Sequence, residues 1–432
     1  MNETDPDGDV INYGYDADHR LTSVTYPNGD VHAYAYDALG RVIGDTDTSS
    51  DNAESFAYYA SSTVVTDALG HRTEYDYTVV GGLRRTTRIV DAKGGVTTMA
   101  YDSNMDLISK TDPLGHTTQY AYDQNGNVVT MTDAAGGITQ TAYDPNFNQP
   151  TSLQDPDANK TTLSYDAKGD LIETQDAQGN QSLMSYDAEG HVLQSQDPLG
   201  GKTNFSYDKN GALASVTDPL GRTTSLTNDA WSNVLQSVDP AGEKTSFSYD
   251  FMRNLTGVVD AIGGKTSYGY TPGLPGRLLA SVTDANSHPT NFGYDVVGRL
   301  ASVQNALYPT VPAKIFAYDA KGNLTSVTDP NGHTISFSYD PLNRLSQKYF
   351  PEAPGNPDIY TYDAAGDLTS VTHYNGSKIA MSYDALNRVT QELQTLPNGL
   401  TASVGYVYDA DGNRTQMSLS VGTFSGSFIY AH

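Results

Sequence analysis

The chain has no cysteine, a single tryptophan, only eight glutamates beside 43 aspartates, and no apolar run approaching the roughly 18 residues of a membrane span. Without cysteine there is no disulfide framework, no thiolate zinc site and no Cys nucleophile. The first residues, MNETDPDGDV, carry neither a basic nor an apolar stretch, so no export signal or anchor is read there. Cations are scarce: 25 Lys+Arg face 51 Asp+Glu, a formal charge of -26. A field of that sign repels phosphate backbones and anionic bilayers, so neither nucleic acid nor membrane insertion is expected. Helix also lacks room, because a Gly, Pro or Asn-rich turn interrupts the chain about every ten residues.

The equipment of common catalysts is missing too. Gly-Lys-Thr occurs at 201–203 and 264–266, but Gln196 and Val259 stand where a phosphate loop needs its first Gly. There is no Gly-x-Ser-x-Gly elbow and no His-Glu-x-x-His pair. The expectation is a non-enzyme with no cofactor and no metal. Apolar content of 37% is low, yet aromatics reach 10% and 31 of them are Tyr, which argues against disorder.

What is present is a repeat. Sixteen Tyr-Asp pairs run through the chain, and most recur at 21 or 22 residues. The candidate signature residues are Tyr101, Asp102, Tyr122, Asp123, Tyr165, Asp166, Tyr186, Asp187, Tyr207, Asp208, Tyr249, Asp250, Tyr294, Asp295, Tyr318, Asp319, Tyr339, Asp340, Tyr362 and Asp363. Gly169, Gly190, Gly211, Gly298, Gly322 and Gly366 complete the Tyr-Asp-x-x-Gly form. One row is skipped at Asn228-Asp229, and Tyr270 keeps the phase without its Asp. Midway through most rows lies a second marker, Asp-x-x-Gly, as at 112–115, 133–136, 197–200, 218–221, 239–242 and 329–332.

Lys202-Thr-Asn-Phe-Ser-Tyr207 suits a pleated surface, Asp208-Lys-Asn-Gly211 a turn, Ala212-Leu-Ala-Ser-Val-Thr217 a second strand and Asp218-Pro-Leu-Gly221 a second turn. Each unit is thus a β-hairpin, and the Asp excess is a product of turn chemistry. Thr203, Phe205 and Tyr207 share a face, but Leu213 and Val216 are three apart, which calls for a bulge or twist. Residues 1–432 read as one continuous array with no independent second domain. Irregular spacings at 81–88, 271–276, 308–312 and 350–357 read as loops. About twenty units give about forty strands, which would make a hoop about 60 Å across or a narrower, taller spiral. Stability is expected from neighbour contacts, Tyr on Tyr and Asp on turn amides.

The pattern resembles the YD repeat of the RHS family, which includes bacterial Rhs polymorphic toxins, insecticidal toxin-complex shell subunits and the teneurins. It is carried most plainly by Tyr165-Asp-Ala-Lys-Gly-Asp-Leu171, Tyr294-Asp-Val-Val-Gly-Arg-Leu300, Tyr318-Asp-Ala-Lys-Gly-Asn-Leu324 and Tyr362-Asp-Ala-Ala-Gly-Asp-Leu368. The resemblance implies an all-β strip of hairpins coiled into a hollow cocoon that sequesters a toxic domain, hence a secreted or cell-surface bacterial protein. Family toxins end their core in an aspartyl self-cleavage hallmark, Asp-Pro-x-Gly-Leu before a Gly-Gly-x-Asn-x-Tyr-like stretch. The Asp-Pro-Leu-Gly copies at 112, 197 and 218 belong to ordinary rows, so no cleavage residue carries over. The array stops mid-row at Phe428-Ile-Tyr-Ala-His432, which reads as part of a larger shell.

Outside the repeat signature, His71, His116 and His333 share one position after Asp-x-x-Gly and read as turn-flanking surface residues rather than a metal ladder. Asp5, Asp7, Asp9 and Asp16 have calcium-loop spacing, but Val10 replaces the required Gly, so a frayed acidic terminus is favoured. Trp231 is expected to fill the gap left by the missing Tyr, with sugar stacking as the alternative. The leading function is a non-catalytic shell segment whose partner is an encapsulated toxin cargo or flanking segments of the same polypeptide. The alternative is an extracellular adhesion or carbohydrate-binding module with a glycan or cell-surface partner.

Overall fold

The computed structural model describes residues 1–4, 10–26, 29–47, 53–80, 82–271, 278–305, 313–422 and 424–430. They form forty β-strands, from β1 (Asn2–Thr4) to β40 (Phe424–Ile429), with no helix among them. Every strand pairs antiparallel with its neighbours in sequence, so the chain is one unbroken meander in a single 40-stranded sheet. No pairing joins β1 to β40 among the described residues, and the ribbon is therefore open.

In β20 (Lys202–Tyr207) the side chains of Thr203, Phe205 and Tyr207 are half-buried while Lys202, Asn204 and Ser206 are exposed. Against β21 (Leu213–Thr217), Phe205 pairs with Val216 and Ser206 with Ser215, but Tyr207 pairs with Leu213. Ala214 is the extra residue. This bulge places Leu213 and Val216, three apart in sequence, on the same face as Tyr207 and Phe205. The same shift precedes Tyr101, Tyr122, Tyr165, Tyr186, Tyr249, Tyr294, Tyr318, Tyr339 and Tyr362. It also accounts for the Gly, Ala or Ser that precedes most of these Tyr. A Cβ on Gly14, Gly269 or Gly293 would come against the hydroxyl of the Ser across the bulge.

The ribbon winds. Lys93 Nζ lies 3.5 Å from Asp340 Oδ2, 247 residues on, and the Asp157 amide donates to Asp411 Oδ1 at 3.2 Å, 254 residues on. Between the turn of Lys93 and that of Asp340 run 23 strands, β10 (Val96–Tyr101) to β32 (Thr334–Tyr339). At ~4.8 Å per strand one winding is about 110 Å around and about 35 Å across, with a bore of about 25 Å once a sheet thickness of ~10 Å is removed. Of the two shapes open to forty strands, the spiral is the one adopted. Its surface area is 24383 Å², against about 16,000 Å² for a compact chain of 46.4 kDa. Among the described residues only Val24, Val64 and Val371 are buried apolar side chains, so their sheet is a wall with both faces accessible rather than a cover for a solid core.

The irregular stretch at 81–88 is not a loop. Apart from Gly81, which lies outside the described residues, it is a tight turn followed by β9 (Leu83–Val90), paired along its length with β8 (Arg72–Val80). The run Leu83-Arg-Arg-Thr-Thr-Arg-Ile-Val90 is β-branched enough to extend the hairpin instead. Residues 350–357 do form a turn-rich connection, while 272–276 and 308–312 lie outside the described residues.

Candidate functional site

The repeated turns and the line where windings meet are the chemistry-bearing parts of the wall. Both turn types share one geometry. At 208–212 the Asp208 amide donates to Ala212 O at 2.8 Å and the Gly211 amide to Asp208 O at 3.0 Å. Asp208 Oδ1 accepts the Asn210 and Ala212 amides at 2.8 and 3.1 Å. Gly211 stands at φ +80°, which is why Gly is favoured there. Asp102, Asp123, Asp166, Asp187, Asp250, Asp295, Asp319 and Asp340 accept the same pair of amides, whereas Asp363 takes those of Gly366 and Asp367. Gly169, Gly190, Gly298, Gly322 and Gly366 share the left-handed conformation. The Asn127 side-chain amide and then the turn amides hold Asp123 below the ordinary carboxylate range, and the Arg222 side chain does so for Asp218.

Each Tyr links its hairpin to the one before. Tyr207 Oη donates to Val192 O at 2.9 Å, the first carbonyl of β19 (Val192–Gln196). Backbone pairing of β19 with β20 begins only at Gln194↔Asn204, so the hydroxyl supplies a partner that the ladder does not. The same bond, at 2.7–3.1 Å, is made by Tyr101, Tyr122, Tyr165, Tyr186, Tyr249, Tyr294, Tyr318, Tyr339 and Tyr362. In the row without Tyr, Asn228 Nδ2 donates to Leu213 O at 2.9 Å. Trp231 therefore has no gap to fill. It stands at the tip of the 229–233 turn, 64% exposed, with the Arg253 guanidinium 6.0 Å from its ring. The packing expectation fails because the lost hydrogen bond was replaced in place by Asn228.

A third link escaped the sequence reading. The residue after the left-handed turn position, which is Gly298, Asn343 or Asn387, binds its own Asp and reaches the next row. Arg344 Nη2 is 2.7 Å from Asp340 Oδ2, its guanidinium lies 4.5 Å from the Tyr362 ring, and Nη1 donates to Asp363 O at 3.3 Å. Arg299 and Arg388 repeat this set, and His191 stacks on Tyr207 at 4.7 Å. The visible signal was the recurrence of Arg, His and Asn five residues after Tyr. His71, His116 and His333 are tied likewise, Nδ1 to the Asp of their own turn at 3.1–3.2 Å. Asp187, Glu189 and His191 bring three potential ligand atoms within 4.8 Å, in a turn whose bonds already account for that grouping. Of the calcium-loop candidates, Asp5, Asp7 and Asp9 lie outside the described residues.

Where windings meet, the Asp-x-x-Gly edge of the first faces the Tyr-Asp edge of the second. Lys321 Nζ approaches Glu54 Oε1 at 3.6 Å, and Asn159 Nδ2 donates to Asp411 Oδ2 at 3.1 Å. A cleft of about 910 Å³ there is lined by both edges, among them Asp133, Asp155, Asp157, Arg388, Asp409 and Asp411. Acid meets acid across this seam. Burial, then Asp363 and Asp112, push the Asp367 carboxyl up, and its Oδ2 is buried without a hydrogen-bond partner. Burial, Asp155 and Asp157 do the same to Asp411, against the Asp157 amide that lowers it.

The RHS repeat family model matches residues 1–31, 15–51, 106–138, 122–161, 186–223, 318–351 and 362–399, together half of the chain. Among solved structures, the Photorhabdus luminescens Tc holotoxin pore carrying a TccC3 substitution is similar at 15% identity and a TM-score of 0.53, over 98% of this chain and 28% of that one. TcdB2-TccC3 without its hypervariable C-terminal region is similar at 15% identity and a TM-score of 0.52, over 96% of this chain and 29% of that one. The chain spans less than a third of the length of these structures, and at such identity the likeness is one of fold. No curated protein matches. With half of its length matched by the repeat model, the chain belongs to the RHS repeat family.

Proposed function

We propose that the chain is a non-catalytic segment of shell wall that encloses a toxin domain, carried in the same polypeptide or by an associated one. The observation that carries this reading is the wall itself: a single sheet wound back onto its own edge, with a surface half as large again as a compact chain of its mass. A bore of about 25 Å admits an extended or partly folded polypeptide but no large folded domain. The whole of 1–432 acts as one array, and the Tyr, Asp and Gly signature residues hold the wall rather than react. Secretion or display at a bacterial surface suits this role, and one of the two similar structures is described as a Tc holotoxin pore, the other sharing its TccC3 component.

The test is protection. A protease-labile cargo fused to the chain is expected to resist digestion at neutral pH and to be cut at the rate of free cargo once the wall is acid-unfolded. Digestion at the free rate under both conditions refutes encapsulation by this segment. The exposure of Trp231 favours a second reading, a glycan-binding module. Glycan-array binding that is lost in Trp231→Ala, without cargo protection, would select it.

A further inference from the structure

The seam between the windings is not uniform along its length. At one end Lys321 Nζ lies 3.6 Å from Glu54 Oε1 and Lys93 Nζ 3.5 Å from Asp340 Oδ2, and the clefts beside these contacts hold only about 230 and 190 Å³. Further along, at the 409–413 turn, the facing edges enclose about 910 Å³. The titratable groups opposite Asp411 there are all acids: Asp155 and Asp157 of the facing turn, with Asp133 and Asp176 of the turns on either side. Arg388 is the one cation among the residues lining this gap, and it is bound on its own edge, to Asp384 Oδ2 at 2.7 Å and Asp409 O at 3.0 Å. Between the two ends Asp367 faces Asp112 and His116, themselves paired at 3.1 Å, and stands beside Asp363 and Tyr383 of its own edge. The wall is tight where a cation bridges its windings and gapes where carboxylate meets carboxylate. Spread over an edge of about 19 Å by a sheet thickness of ~10 Å, the extra volume of roughly 700 Å³ is a gap of about 4 Å.

We propose that the seam is a proton-operated zipper, pinned at one end by Lys321 and Lys93 and closing from there toward Asp411 when Asp367 and Asp411 take up protons. A protonated Asp411 becomes a donor for Asp155, and a protonated Asp367 no longer sets a buried charge against Asp112 and Asp363. A charge gained by His116 acts in the same direction. The protons come from solvent and no covalent bond changes. Burial and then the neighbouring acids hold the Asp367 carboxyl above the ordinary range, against His116; burial and Asp155 do so for Asp411, against the Asp157 amide. The closed seam therefore binds more protons than the open one, so closure is favoured as pH falls toward the ordinary carboxylate range and is lost as pH rises through the raised values. Turn carboxylates such as Asp123 and Asp218 are held low and stay ionised in mild acid, so the hairpins remain intact while the seam closes. The device does not depend on what the wall encloses, and a gap of this width passes water and ions but no protease.

Because the chain has no cysteine, spin labels can be placed on it in chosen pairs. One pair, Ala177→Cys with Ala410→Cys, spans the gap, and a second, Ala92→Cys with Ala320→Cys, lies beside Lys321 at the pinned end. Pulsed dipolar distances in the full chain, taken at about pH 8 and about pH 5, are expected to shorten by about 4 Å for the first pair and to stay unchanged for the second. Asp367→Asn with Asp411→Asn, neutral at both values, is expected to show the short distance already at the higher pH, with an unchanged circular dichroism spectrum. A first-pair distance that is the same at both values overturns the proposal. So does an Asn variant that keeps the long distance at the higher pH, or a shift shared equally by the second pair, which marks a change of the whole wall rather than of its seam.

Discussion

Replacing Tyr207 isolates the unit on which the wall depends. The half-buried ring covers about 100 Å² of apolar surface, half the area typical of Tyr, worth about 2.5 kcal/mol at ~25 cal/mol per Å². The hydroxyl bond to Val192 O adds about 1 kcal/mol, since its loss leaves a carbonyl that backbone pairing does not reach. Tyr207→Ala is therefore expected to cost about 3–4 kcal/mol, and Tyr207→Phe about 1 kcal/mol. Unfolding of a repeat array is governed by neighbour contacts, so a global midpoint blurs a local lesion. Amide hydrogen exchange in β19 and β20 is the sharper assay. It should accelerate by roughly two orders of magnitude in Tyr207→Ala and about fivefold in Tyr207→Phe, with the hairpin of Tyr339 unchanged. Wild-type exchange in Tyr207→Phe would refute the capping role of the hydroxyl, and wild-type exchange in Tyr207→Ala would show a ring that packs on nothing.

Gly115 stands at φ +90° with open space where a Cβ would go, so Gly115→Ala should cost about 1 kcal/mol by conformation alone. Met105 and Ala158 occupy the same left-handed position at φ 68° and 67°, and Met105→Gly or Ala158→Gly should gain roughly 0.5–1 kcal/mol in thermal or urea denaturation. Turn carboxylates such as Asp123, Asp176 and Asp218 are held below their unfolded value. Their contribution is complete above that value and lost as pH falls through the folded one, so the melting temperature should be flat from about pH 8 to 5 and drop between about 4 and 2. Asp367 runs the other way. Its carboxyl is raised, so its penalty grows as pH rises, and Asp367→Asn should raise the melting temperature at pH 7 and leave it nearly unchanged near pH 4.

Much of this wall is legible in the sequence because its rules are local. Tyr207, Asp208 and Gly211 recur at fixed offsets, and each does its work within one hairpin or against the next. Even the three-residue step from Leu213 to Val216 pointed to the bulge that the pairing contains. Trp231 misled because a missing Tyr was taken as missing volume, when the loss was of a hydrogen bond that Asn228 restores. Tyr75-Asp76, one of the sixteen pairs, departs from the repeat in a second way. The pair lies inside β8, where Asp76 binds Arg88 and Tyr77 makes the link to Tyr59 O.

The winding is different in kind, because it is an accumulated quantity. One turn over 23 strands requires about 16° per strand, within the ordinary range of sheet twist and bend. An error of one degree per strand moves the returning edge by more than one strand, so no local pattern tells Lys93 that it will meet Asp340. What the winding leaves behind is visible in the side chains along an edge. Once the seam is known, an apolar residue at a turn tip separates into two classes, covered as Leu114 is or bare as Leu199 is, although the four residues of the turn are identical. Local chemistry thus builds the hairpin and its links, whereas the exposure of one repeated position reports where the wall has met its own next winding.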